Sequence, residues 1–291
     1  MKFLVIINIF ITAFIGLYSC NAATIQDKTL QNDSLSAQEM VGDWGNPDSL
    51  QESLRKLIDK KHEIVRISNV NNSDELTKLY LKEKTLGDKN GYVPVIIELS
   101  DNLMAFAAER KNAPAIINDI NDSKYISKAV AKAPDEFKEN QDFMVKNFGE
   151  EAKGSSWAEY VGKKEDASGQ AINTIEYTPQ EGFYVLVRFF VEKPDEIFTQ
   201  ITPENADGGI NHSIHRVYAR YWNEKYKAVP CFISYDETMY YVPKPVDPTC
   251  VFQLAQEQDT YCIDIVSQIN LSIWNLAKSL EMSNFWYFWW D

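Results

Sequence analysis

A chain of 291 residues that is 45% hydrophobic and 24% charged has enough apolar material for a sizeable core, which excludes a disordered or fibrous class. Its 42 acids against 29 bases leave a formal charge of −13. That balance repels phosphate backbones and argues against nucleic acid as a partner.

The N-terminus carries the clearest localisation signal. Lys2 precedes Phe3–Leu17, an apolar run interrupted by Asn8 and Thr12. It is too short for a spanning helix of about twenty residues but suits a secretory signal. Leu17-Tyr18-Ser19-Cys20 resembles a bacterial lipobox, in which the cysteine receives diacylglycerol. The expectation is a signal peptide over 1–19, lipidation at Cys20, and a lipid anchor in the bacterial cell envelope facing the periplasm or outer membrane. Ordinary cleavage after Ala22 is the alternative. Residues 20–44 are rich in Asn, Asp, Ser, Gln and Thr and read as a flexible tether.

A smaller α/β and helical region is expected over 45–165. Leu50, Leu54 and Leu57 sit at helical spacing; Glu63–Ile67 and Tyr92–Leu99 read as strands, Ser73–Lys82 and Leu103–Glu109 as helices. Ala113–Gly162 is helical in pattern, and Gly162–Gln170 is the linker candidate.

The C-terminal domain is expected over 171–291. Phe183–Val191 is a β-prone run with Arg188 inside it. Asn211 is placed to cap a helix reaching Tyr226, with Ile214, Val217, Tyr218, Tyr221 and Trp222 on one stripe. Val229–Tyr235 and Thr238–Pro243 flank a hairpin-like turn at Asp236-Glu237. Asp247 and Asn270 are placed to cap two further helices. Phe285–Trp290, aromatic on both faces, reads as a buried central strand. The fold class is α+β, helices packed against one sheet.

Several of these stretches, Val191–Phe198, Ala219–Val246, Ala255–Gln268 and the closing Phe285–Asp291 (FWYFWWD), together resemble the bacterial family catalogued as domain of unknown function 4253. The resemblance covers roughly Phe183–Asp291. The chain departs from the family pattern at Asp195, where a tryptophan is usual. It departs also at Ala206–Asn211, where the family has Gly-Gly-Trp-Asn-x-Cys-Pro, and at Tyr235-Asp236, often His-Asp. The family has no established activity, so the resemblance implies a fold and not a function.

Walker, dinucleotide-glycine, HExxH and GxSxG motifs are absent from the sequence, so no cofactor is implied. His212 and His215 lack a third ligand nearby, and no metal is expected. Cys231, Cys250 and Cys262 are an odd set in an exported chain. Cys250 and Cys262 are separated by a helix and cannot pair, whereas a Cys231–Cys262 bond stays open.

Asp264 sits between Ile263 and Ile265 and needs water or a cation, for which Arg188 and Arg216 are the plausible partners. The functional reading gathers Arg188, His215, Arg216, Trp222, Glu257, Tyr261, Asp264, Trp286 and Asp291 into an aromatic pocket with carboxylates at its mouth. A non-catalytic protein that binds a protein or small-molecule ligand is the first reading, and a hydrolase using carboxylates near Asp264 the alternative.

Overall fold

Val93–Leu99 (VPVIIEL) is apolar on both faces and belongs inside a sheet covered on both sides. The computed structural model describes residues 46–68, 70–110, 122–177, 183–204 and 212–291. The signal segment, the tether and the Asn211 cap lie outside the described residues.

Six strands, β1 (His62–Arg66), β2 (Val93–Leu99), β3 (Phe183–Phe189), β4 (Val229–Ile233), β5 (Glu237–Tyr241) and β6 (Phe285–Trp289), form one sheet in the order β1-β3-β2-β4-β5-β6. Every pairing is antiparallel except β2 with β4, where Ile96 faces Phe232 and Ile97 faces Ile233. Strands from both sides of residues 165–171 therefore share the sheet. The class is α+β, as expected.

The helices are α1 (Pro47–Leu57), α2 (Ser73–Asn90), α3 (Asp101–Arg110), α4 (Asp122–Phe148), α5 (Trp157–Val161), α6 (His212–Tyr226), α7 (Val251–Asp259) and α8 (Ile273–Leu280). Alternation along the strands divides the core. Ile96, Leu186, Phe232, Met239 and Phe285 face Leu76 and Tyr80 of α2 and Ile175. Val95, Val187, Ile233, Tyr240 and Phe288 face the opposite layer, to which α1 and α3–α8 contribute. A bulge between Pro230 and Phe232 puts Cys231 on the α2 side beside Phe232.

Local chemistry sets the helix ends. Asn46 accepts from the Asp48 amide with Pro47 in the first turn, and Asn72 accepts from the Glu75 amide. α2 runs past the expected Lys82 to Asn90, where Gly91 stops it at φ 74°. Two expected caps move. Asp247 forms a turn with Thr249, and α7 begins only at Val251. Asn270 closes a π-helical turn, while Ser272 caps α8 by accepting from the Asn275 amide.

The aromatic strand is not central. β6 lies at the sheet edge beyond β5. Aromatic residues on both faces report burial by layers above and below, and an edge strand receives that as readily as an inner one. The edge is also covered along part of its length. The Phe285 amide donates to the Ile172 carbonyl at 3.1 Å, and Cys262 Sγ donates to the Trp289 carbonyl at 3.0 Å. Such cover blunts an edge that would otherwise template strand addition. All three cysteines of the described chain are free, so the Cys231–Cys262 bond is not formed.

Candidate functional site

α8 is amphipathic, and its polar stripe holds Asn275 and Ser279, four residues apart, continued past its end by Ser283. An extended segment, the strap, lies along this stripe. The amides of Ser168, Gln170 and Ile172 donate to Asn275 Oδ1, Ser279 Oγ and Ser283 Oγ at 2.9, 3.0 and 2.8 Å. The match is geometric, because two extended residues advance about 6.7 Å and four helical residues about 6 Å. Gly169 permits the approach: a Cβ there would collide with the Ser279 nitrogen and the Lys278 carbonyl carbon. The strap then crosses to α2, where the Ile175 amide donates to Thr77 Oγ1 and the Tyr177 amide to Ser73 Oγ. The expected linker over Gly162–Gln170 thus ends in a fastened segment.

Between the strap, α8, the end of α7 and β6 lies a cavity of about 630 Å³. Gln258 and Trp286, each 1% exposed, are among its lining residues; Gln258 Nε2 and Trp286 Nε1 have no hydrogen-bond partner and are themselves sealed from solvent. Buried donors without partners cost roughly 1–3 kcal/mol each. The rim includes Ile269 and Leu271, both exposed, on the π-helical turn Ile265–Asn270 and its C-cap. Leu271 is held at φ 63° and is 69% exposed. A left-handed leucine is strained, and single π-turns recur at functional sites.

A second cavity of about 390 Å³ opens where the parallel strands β2 and β4 end. Glu98, Glu176, Asp236 and Glu237 line it together with Tyr287 and Trp289. Tyr287 Oη donates to Glu237 Oε1 at 2.5 Å, and Trp289 Nε1 donates to Asp236 Oδ2 at 3.3 Å. Burial pushes the Glu237 carboxyl up to about 7; the Tyr287 hydroxyl opposes this, and Asp236, Glu98 and Glu176 reinforce it.

Residues 190–291 match the family model described as domain of unknown function (DUF4253). No curated protein and no solved structure matches the chain. The DUF4253 segment supplies Gln258, Trp286 and the π-helical rim of the first cavity, whereas the strap and Ser73 come from outside it. At Asp195, a departure from the family pattern, the buried carboxylate accepts from Arg216 at 3.2 Å and Arg220 at 3.4 Å. Arg220 is held in turn by Asp122.

The residues singled out from the sequence scatter over several environments. Trp222, Tyr261, His215 and Trp286 share one aromatic cluster, with Trp222 and Trp286 rings 5.6 Å apart and His215 Nδ1 hydrogen-bonded to Tyr261 Oη at 2.6 Å. His215 is fully buried, stacked on Phe198. Glu257 accepts from Tyr221, Lys225 and Gln253. Neither expected arginine partners Asp264. Arg188 grips Glu83 with two hydrogen bonds of 2.9 and 3.0 Å and reaches Glu63, while Arg216 is taken by Asp195. Asp264 instead accepts from Gln268 Nε2 at 2.9 Å and from the Asp291 amide at 3.3 Å, and burial raises its carboxyl. Of the nine, Trp286 alone lines the strap cavity, and none lines the acid-lined one.

Gln258 and the strap were missed. Gln258 is one polar residue in a helix buried on most sides. The signal that could have exposed the strap is the Asn275–Ser279–Ser283 spacing, which leaves side-chain acceptors facing one way every 6 Å or so.

Proposed function

We propose that this protein binds a small molecule without turning it over, and that the strap cavity is the seat. The single observation behind this reading is the cavity itself, about 630 Å³ in volume and enclosed by the strap, α8, the end of α7 and β6. A cavity of this size lies within the range of about 300–1,000 Å³ typical of small-molecule sites. Hydrolysis by carboxylates near Asp264 has less support, because Asp264, Glu257 and the Asp291 side of the chain do not converge on either cavity. The test is a thermal-shift measurement with a defined mixture of small uncharged amides, sugars and aromatic alcohols. At a hundredfold excess over Kd, binding contributes about 2.7 kcal/mol, or several degrees in Tm. The wild-type chain is expected to show that rise, Leu276→Phe (a cavity-lining leucine enlarged) to lose it, and the mixture to be recovered intact. Cleavage of a component would favour the hydrolase.

The same proposal tethers the mature chain through a diacylated Cys20 to a bacterial envelope membrane, on the strength of the Lys2 start, the Phe3–Leu17 run and the lipobox-like Leu17–Cys20. Among the described residues no helix is long and apolar enough to cross a membrane. Cys20→Ala is expected to move the protein from the membrane fraction to the soluble one. Retention in membranes would contradict the tether.

A further inference from the structure

We infer that the ligand of the strap cavity carries an apolar arm that lies on Leu271, and that this leucine is kept in a left-handed backbone for that contact. The inference rests on the binding reading above and names the part of the ligand that the cavity rim selects.

The backbone comes first. Among the described residues, two other than glycine have a positive φ, Lys227 at 60° and Leu271 at 63°. A Cβ crowds the following carbonyl there, so glycine or asparagine is the usual occupant. Lys227 is the ordinary case: it closes α6 with its amide on the Asn223 carbonyl, and its charged side chain is exposed. Leu271 has the same task at the π-helical turn, with its amide on the Val266 carbonyl at 2.7 Å, but its apolar side chain is 69% exposed. A leucine that exposed gains little from the core, so neither the strain nor the exposure is offset within the chain. Strain of this kind points to a contact made outside it.

Position comes second. Leu271 lines the strap cavity together with Ile269, 45% exposed and on the same turn. Leu276 and Leu280 line it too, but at 5% and 2% exposure their surface is already used by the core. The two rim residues are open to solvent, and a ligand reaches them without displacing any element of the fold. An alkyl arm laid across them removes apolar surface from water on both partners, a gain in affinity of about two- to fourfold per methylene. Of the residues lining the cavity Glu176 is the one that carries charge, and no lysine or arginine is there to hold an anion, so a neutral head group suits the probe.

Methyl, butyl and hexyl β-glucoside are such probes, alike in the head and graded in the arm. Binding to the full chain is measured by calorimetry, and Tm by thermal unfolding, for wild type, Leu271→Asn, Leu271→Met and Lys227→Asn. The hexyl compound is expected to bind wild type at least about tenfold more tightly than the methyl one. Leu271→Asn suits the left-handed backbone but is polar. It is expected to cut that preference to about threefold or less while raising Tm by about 1–2 °C. Leu271→Met, still apolar, is expected to keep the preference. Lys227→Asn is expected to raise Tm similarly and leave the preference intact. Retained preference in Leu271→Asn, or a lowered Tm there, would overturn the inference and assign the leucine to the fold alone. Glucosides that bind wild type without regard to arm length would overturn the arm and leave a binding cavity in place. Absence of binding by all three would also overturn the arm; the binding reading falls with it only if no component of the thermal-shift mixture moves the Tm.

Discussion

Trp222→Ala is expected to destabilise the protein by about 4 kcal/mol, the range for removing a fully buried tryptophan. In a chain of this length that corresponds to roughly 7 °C in Tm. Trp222 is the hub that joins α6 to the outer end of the sheet. Its ring lies 5.2 Å from Tyr218 and Tyr261, 5.4 Å from Tyr240 and Phe288, and 5.6 Å from Trp286. Tyr240 belongs to β5, and Trp286 and Phe288 to β6, so the cavity left by truncation would undercut the edge strand directly. Trp274 provides the contrast. It is half-buried, stacked on Phe252 at 4.2 Å, and Trp274→Ala should cost less than half as much. Chemical denaturation of both variants checks the pair. Equal losses would mean that the edge strand is not held by this cluster.

Stability is expected to fall as pH rises from about 4.5 to about 8, the reverse of the usual behaviour of surface carboxylates. Burial pushes Asp259 up to about 7, opposed by the Tyr160 hydroxyl that donates to it, and pushes Glu237 up to about 7 as well. In both cases the folded carboxyl keeps a proton that the unfolded chain has released. The stabilisation is complete below the unfolded pKa and lost as pH passes the folded one, at up to order 3 kcal/mol per group. Groups of the opposite kind set the acid limit. Burial alone would raise Glu83, but hydrogen bonds from Arg188 and Tyr92 hold it below the ordinary range. The Lys60 hydrogen bond likewise lowers Glu196 against its own burial. Their contributions disappear below about pH 4.5, which places the maximum on the acid side of neutrality. Unfolding free energies across pH 4–9 should show this slope, and Asp259→Asn with Glu237→Gln should flatten it. A wild-type curve rising from pH 5 to 8 would contradict the buried, protonated state of both groups.

Much of the fold follows from periodicity visible in the chain. The runs VPVIIEL, FYVLVRF and FWYFW are strands where alternation or two-faced apolarity says they should be, and Leu50, Leu54 and Leu57 lie buried at helical spacing. Sheet order is another matter, because it depends on which strands meet and not on the character of each. Two-faced aromatic content could not distinguish β6 at a covered edge from a strand inside. Ion-pair partners were misread for a similar reason. Arg188 has a carboxylate on α2 within reach and Arg216 one in the turn at Asp195, so neither was left for Asp264. The site was the least legible part. Trp286 carries a visible aromatic signal, but its place beside a cavity depends on which elements meet around it. Gln258 and the strap acquire meaning only when α7, α8 and residues 168–174 are brought together.

The thermal shift of the wild-type chain with small uncharged amides, sugars and aromatic alcohols tests the central claim most directly. The predicted result is a rise of several degrees with at least one component, lost in Leu276→Phe. A wild-type Tm that no component moves, or a rise that Leu276→Phe keeps, would contradict it.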